Sequence, residues 1–415
     1  MTEPEFIPLT GYFSSLRYRN FRFFWIARLI SHLGTSIQNI AMAWTLYELT
    51  GSAFQLGLNG LFRAVPTILF GLLAGTIADR FERRRMVLIA DSILFFMPLM
   101  LGIMAQLERL EAWHIYMVTF LSAIVDTVGA PARQALYPNL VPVLLLPNAI
   151  ALNSVLRRVS VLVGPALAGI LITLTGIPGA FYANSLSYLA AVMAVFMMRN
   201  VLSKGGVAGK RLFQSLMDGL RYIRSEPVLL SAVFLEAFIS FFGINQVFLT
   251  IFAKDIFDVG PSGLGLMFSV RGAGGVIGSM WIIVLSQIRH QGRVMLISSV
   301  VFALSLIGFG LSSFFPAALF FLFLLALADT ISGISRQILL QTKTQDRLRG
   351  RANSVFQVTG RGLTPLGHTQ AGILIPLMTA SGAVLMGALA IFTAALGINA
   401  IFPQLRRFVL KAPKT

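Results

Sequence analysis

Four acidic residues sit where acids are rarely found. Of sixteen Asp and Glu in the chain, Asp91, Asp126, Glu236 and Asp329 lie well inside long apolar runs. An ionisable group in such a run is costly and is by default a candidate for function. A carboxyl there can take up and release a proton: burial favours its neutral form, a neighbouring arginine its charged form. Arginines accompany them at Arg28, Arg63, Arg133, Arg271 and Arg336. Asp126 and Arg133 are seven residues apart, as are Asp329 and Arg336. Two helical turns, roughly 10 Å of rise, place each pair on one face. Each pair reads either as a fastener between helices or as a proton site built on Asp126 or Asp329. Asp91 is expected to pair with the basic cluster at 80–85. Glu236 has no acidic counterpart in the other half of the chain. Arg28 stands at the equivalent depth, so Glu236 is expected to pair with it when one end of the molecule closes. Protonation of Glu236 would then weaken that pair. Arg63 and Arg271 read as an anion-binding pair, or as structural donors to carbonyl groups. Gln38, Asn39, Asn245 and Gln246 are polar residues at matching depth, suited to lining a cavity or to packing hydrogen bonds.

Membrane-crossing helices must position these groups. Hydrophobic residues make up 56% of the 415, charged residues 12%, and mean hydropathy is +0.80. Soluble domains carry roughly 25% charged residues. The apolar runs recur at 22–47, 53–78, 86–106, 112–136, 150–175, 179–199, 228–253, 262–286, 293–313, 316–340, 352–377 and 379–403. Each is near the ~20 residues that a helix needs to cross the bilayer core. Backbone groups in lipid must be satisfied within the segment, so the runs are helices. The expected fold is an all-α membrane protein of twelve transmembrane helices. It divides into an N-terminal six-helix bundle at 1–199, a linker at 200–227 and a C-terminal bundle at 228–415. Phe213, Leu216, Met217 and Leu220 in the linker have helical spacing, which predicts an amphipathic interfacial helix.

Basic residues set the orientation. With both termini in the cytoplasm, inner segments hold twenty-three of the thirty-three Lys and Arg, and outer loops hold only Arg109 and Lys254. The net charge of +17 therefore answers to the cytoplasm and anionic lipid, with no nucleic acid implied. The halves also repeat. Asp126-Thr127, Arg133-Gln134, Gly164 and Ala168-Gly169-Ile170-Leu171 recur 203 residues on as Asp329-Thr330, Arg336-Gln337, Gly367 and Ala371-Gly372-Ile373-Leu374. Gly57, Leu58 and Arg63 recur 208 residues on as Gly265, Leu266 and Arg271. Both halves start on the same side, so a pseudo-twofold axis along the membrane normal should relate them.

Two motifs carry a family resemblance. Gly75-Thr-Ile-Ala78-Asp79-Arg80-Phe-Glu-Arg83-Arg84-Arg85 resembles motif A of the major facilitator superfamily, with Glu82 in place of its following glycine. The resemblance implies a gate latch made by Gly75, Asp79, Arg80, Arg83 and Arg84, with Arg133 as the partner of Asp79. Gly164-Pro165-Ala-Leu-Ala168-Gly169 resembles motif C, which the family associates with exporters. Pro165 lacks a backbone donor and bends a helix. Gly164 and Gly169 permit close helix approach, and Gly274 and Gly278 of the eighth run offer the matching small face. RNFRFFW, YELTGS and APARQALYPNLVP extend the likeness toward the subfamily of the enterobactin exporter and macrolide-efflux-type proteins. The resemblance implies efflux of a small amphipathic molecule, a siderophore or a drug, by proton antiport with alternating access. It implies a monomer in the bacterial inner membrane, surrounded by lipid. An importer or lysophospholipid flippase of the same fold is the alternative, as is a non-transporting receptor. No enzyme is expected, since no Ser-His-Asp or Cys-His set stands out. No cofactor or metal is expected either: GGVAGKR lacks P-loop spacing, and the four histidines are scattered.

Overall fold

The computed structural model describes residues 11–198, 212–281 and 288–409, without the side chains of 72–73, 75–80, 212–216, 346–347 and 361. The helices are α1 (Arg19–Thr50), α2 (Ala53–Arg80), α3 (Arg83–Gln106), α4 (Ala112–Leu136), α5 (Leu146–Met197), α6 (Leu212–Ser225), α7 (Pro227–Phe242), α8 (Gln246–Ile251), α9 (Gly260–Met280), α10 (Gln291–Leu311), α11 (Phe315–Lys343), α12 (Asp346–Met378), α13 (Ala380–Ile401) and α14 (Pro403–Arg407). Long α5 is two spans. Gly176 breaks it with φ 70° and ψ −178°, a conformation that favours glycine, and Pro178 follows. Helices α7 and α8, with one π-helical turn at Phe252–Ile256, form a single interrupted span. Twelve spans result, and their limits follow the apolar runs. Seven helical segments among the described residues are long and apolar enough to cross a membrane on length and composition alone, with 143–197 counted once.

An apolar core is present, and large apolar side chains also cover the perimeter. Ile89, Phe96, Leu174, Phe196, Phe320 and Leu377 face outward, while Ser31, Ser231, Thr250, Ser299 and Ser332 are buried. Apolar side chains on the perimeter face lipid, and buried hydroxyls bond back to helix carbonyls, as Ser31 does to Ala27 O at 2.6 Å and Ser299 to Met295 O at 2.8 Å. Helix α6 lies against the start of α12 through an Asp218–Arg351 ion pair of 2.8 Å, with Ile223 buried. Met217 and Leu220 remain exposed on its apolar side. The expected companions Phe213 and Leu216 have side chains outside the description.

The halves meet at two related crossings. A Cβ on Gly57 of α2 would lie 2.7 Å from Gly372 Cα of α12, and one on Gly265 of α9 would lie 3.2 Å from Gly169 Cα of α5. These are the residues of the sequence repeat, Gly57 answering to Gly265 and Gly169 to Gly372. Each copy's first glycine thus meets the other copy's second, as a twofold axis requires. The expectation for Gly274 and Gly278 needs correction. They pack within their own half, on Phe323 O, Ala326, Leu327 and Thr330 of α11. Gly265 and Gly272 are the α9 glycines that meet α5, at Pro165 and at Val161-Leu162. Gly164 faces Ser36 of α1 inside the N-terminal half. Small residues line both faces of α9, so composition alone does not say which face looks where.

Candidate functional site

Each half holds a buried charged cluster. In the N-terminal half, Arg133 of α4 uses Nη2 and Nε on Asp91 Oδ1, at 2.8 and 3.1 Å, and Nη1 on Asp126 Oδ1 at 3.2 Å. Arg28 of α1 adds its charge to Asp91 at 3.7 Å. Asp91 is fully buried, with two guanidinium groups as its partners. Among the described side chains Asp91 therefore pairs with Arg133 and Arg28, not with Arg83, Arg84 or Arg85. In the C-terminal half, Arg336 of α11 holds Glu236 of α7 at 2.5 Å and Asp329 of its own helix at 3.7 Å. Ser240 donates to Glu236 Oε1 at 3.2 Å, and Arg336 donates to Ser332 at 3.2 Å. Arg28 and Glu236 do not meet in this conformation; each is engaged within its own half.

The motif A arginines act as helix caps. Arg83 donates to Ala135 O at the end of α4, and Arg84 to Val195 O and Phe196 O at the end of α5. Terminal carbonyls lack partners within their own helix and carry the negative end of its dipole. Gly75, Asp79 and Arg80 lie in α2, but their side chains are outside the description. Arg133, named as the partner of Asp79, is engaged by Asp91 and Asp126.

Two cavities adjoin, the first between the halves and the second within the C-terminal half. One, of about 560 Å³, is lined by Ser36, Asn39, Arg157, Arg158, Gln246, Arg271 and Asp329 among others. The second, of about 440 Å³, includes Glu236, Ser240, Asn245, Arg336 and Gln337 and shares Arg271, Asp329 and Thr330 with the first. The break in α7 shapes this region. Asn245 Oδ1 accepts from Val247 N, capping α8, while its Nδ2 donates to Gly367 O of α12. The next residue, Gln246, points into the first cavity and donates to Asn39 O at 2.6 Å. Non-helical backbone at membrane depth is tolerated where it lines a cavity in this way.

Asn39, Asn245, Gln246 and Arg271 line these cavities, whereas Arg28 and Gln38 line neither. Gln38 is one residue, about 100° of helix rotation, from Asn39. It is buried, accepting a short hydrogen bond from Asn184 of α5. Arg28 is buried beside Asp91. Arg63 is exposed and outside both linings, close enough to His368 to act on it electrostatically, as is Arg271. Two cavity arginines were missed from sequence, Arg157 and Arg158. Their signal is an adjacent basic pair inside the apolar run that leads to Gly164.

The cavities are sealed at one end. Remote from the termini, Tyr47 donates a short hydrogen bond to Asp255, and Lys254 Nζ lies 5.4 Å from the Tyr47 ring centroid. Thr369 donates to Gly57 O at 3.2 Å, and Thr173 and Ser262 share a hydrogen bond of 2.7 Å. The two glycine crossings belong to the same end.

Two pseudo-symmetric helical bundles with a charged mid-span cavity are the architecture of the major facilitator transporters. Residues 10–410 match the family model described as "Transmembrane secretion effector", and the chain belongs to that family. It is 26% identical over 349 residues to Macrolide efflux protein A of Streptococcus pyogenes, covering 81% of this chain and 84% of that one. It is 22% identical over 388 residues to the Enterobactin exporter EntS of Salmonella typhimurium, covering 94% and 93%. In fold it resembles the nucleoside transporter NupG, with a TM-score of 0.73 at 14% identity over 92% of this chain and 99% of that one. It also resembles a bacterial homologue of the iron transporter ferroportin in an inward-facing state, with a TM-score of 0.69 at 17% identity over 94% and 98%.

Proposed function

We propose that this chain is a secondary active exporter of a small amphipathic molecule, working by alternating access in the bacterial inner membrane with both termini in the cytoplasm. The reading rests on a charged mid-span cavity whose seal lies at the end remote from the termini. With the termini inside, that seal is the outer gate, and the cavity is loaded from the cytoplasm. Outward transport then breaks the Tyr47–Asp255 bond and parts the two glycine crossings, while the opposite end closes. The basic loop after α2 latches that end, with Asp79 and Arg80 beside Arg83 and Arg84. The relatives named for macrolide efflux and enterobactin export support the outward direction, as does the packing of Gly169 against α9.

Efflux is exchanged for inward protons, and Glu236 is the favoured carrier. It borders a cavity and shares a single arginine, Arg336, with a second carboxylate, Asp329. The N-terminal cluster sets two arginines against two carboxylates and has no such surplus. Protonation of Glu236 releases Arg336 and loosens α7 from α11. Purified protein in proteoliposomes, with an imposed pH gradient and a fluorescent efflux substrate, tests the coupling. Glu236→Gln should abolish proton-driven uptake into inverted vesicles while leaving substrate exchange intact. Proton-driven transport at the wild-type rate by that variant would remove Glu236 from the mechanism. Accumulation of the dye in intact cells that express the protein would reverse the direction.

A further inference from the structure

The arginines of this membrane domain fall into two groups. Arg28, Arg133 and Arg336 are buried on carboxylates. Arg157 and Arg158 on α5 and Arg271 on α9 border the first cavity. Among the described residues these three make no hydrogen bond or salt bridge. Asp329, the one carboxylate in that lining, acts on Arg271 through space and is held by Arg336 at 3.7 Å. An arginine keeps its charge in a protein at any ordinary pH. Three uncommitted guanidinium groups bordering one cavity therefore make a lasting positive field that disfavours a cation and attracts an anion.

Their placement adds shape to the charge. Arg158 and Arg271 stand on different halves, flanking the crossing where Gly272 meets Val161 and Leu162. The same cavity also has apolar lining, with Ile40, Phe268 and Val276. Resting on the export reading above, we infer that the substrate is an amphipathic organic anion. Its carboxylate, sulfonate or phosphate is held by Arg157, Arg158 and Arg271 while its apolar body lies against Phe268 and Val276. The guanidinium fork suits such oxyanions, which it binds through paired N–H donors. An anion bound to both Arg158 and Arg271 touches both halves at once, so its binding responds to their relative position.

Two xanthene dyes of opposite charge test the inference. Binding of fluorescein, an anion, and rhodamine 6G, a cation, is read by fluorescence polarisation on purified protein in neutral maltoside micelles. Fluorescein should bind saturably and weaken as salt screens the site. Rhodamine 6G should bind about tenfold more weakly or worse, since a charge-assisted contact contributes about 1.5–3 kcal/mol. Arg158→Gln and Arg271→Gln should each weaken fluorescein by about tenfold on the same basis. Arg271→Lys, which keeps the charge and loses the paired donors, should fall between the parent and Arg271→Gln, and melting curves of each variant establish that it is folded. Rhodamine 6G binding as tightly as fluorescein, or unchanged fluorescein affinity in both Gln variants, would overturn the inference. Adding phosphatidylglycerol to the micelles separates two sources of the anion. Displacement of fluorescein at low lipid content identifies a lipid headgroup as the occupant; indifference identifies a soluble anion. Binding in micelles is independent of transport direction. Arginine-dependent binding with dye accumulation in expressing cells would sink the export reading and leave the anion site standing.

Discussion

Gly57→Ala should shift the resting conformation by opening the outer end. In the sealed structure the added Cβ would lie 2.7 Å from Gly372 Cα, 2.7 Å from His368 O and 3.0 Å from Gly372 N. All three atoms are backbone, so no rotamer change relieves the clash. Carbon atoms rest about 3.5–4.0 Å apart, so α2 and α12 must part by roughly 1 Å. Overpacking of this kind costs about 1–3 kcal/mol. On the proposed alternating access the cost falls on the sealed state alone, because that reading parts the two helices in the open state. It therefore converts into a change of about 5–150-fold in the ratio of open to sealed molecules. The chain has no native cysteine, so one introduced thiol reports without background. A cysteine at Ser36, in the first cavity, should react faster with a membrane-impermeant maleimide applied from outside when Gly57→Ala is present. Gly164→Ala is the control. Its Cβ meets Ser36 within one half, so it strains packing without favouring either state; with Ser36 replaced by the reporter, the control uses a cysteine at Asn39 in its place. Equal labelling in Gly57→Ala and the parent would show that this crossing does not hold the outer end shut.

Asp91→Asn should be far more damaging than Asp126→Asn. Removing one partner of a buried ion pair costs about 3–5 kcal/mol; without Asp91, Arg28 has no carboxylate partner among the described residues and Arg133 keeps only Asp126. Asp126 is 43% exposed, so its loss should cost under about 1 kcal/mol; melting in detergent with a thiol-reactive dye on a buried reporter cysteine separates the two, and equal melting points would refute the ranking. Tyr47→Phe removes one charge-assisted hydrogen bond from the seal, about 1.5–3 kcal/mol. It should raise outside labelling of a cavity cysteine in the same direction as Gly57→Ala, and labelling that falls below the parent would contradict the assignment of Tyr47 to the outer gate.

Much of this architecture is legible in the chain. The apolar runs give the spans because lipid leaves the backbone no other solution. The repeat gives more than symmetry: the glycines it pairs are the ones that touch at the two crossings. Partner choice is another matter. Spacing predicts that Asp126 and Arg133 share a face, and they do meet at 3.2 Å. It does not reveal that Asp91, on α3, reaches the same guanidinium more closely. Nor does it separate Gln38 from Asn39, whose neighbouring positions face a helix core and a cavity respectively. Rotation of a helix about its axis is set by its neighbours, and apolar runs that are hydrophobic all round carry little record of it. Arg157 and Arg158 show a different gap, since a basic pair near the end of a span is easily taken for a topology signal.

The break between α7 and α8 bears on how the ends keep time. A continuous helix would carry any tilt at Glu236 straight to the Tyr47–Asp255 bond, as a stiff rod does. Here the hydrogen-bond ladder is cut between Phe242 and Gln246, leaving two levers joined at Asn245. That residue caps the outer lever and is pinned to Gly367 O of α12. The inner lever carries the carboxylate, the outer lever carries Gln246 and runs on to Asp255. Both levers meet α12 at Gly367, the outer through the Asn245 amide and the inner through the carbonyls of Ser240 and Phe241. A transporter wastes its gradient when both ends swing free of each other. On the proposed antiport, the shared seat at Gly367 is where the two levers are held in step, and Asn245 is its polar half.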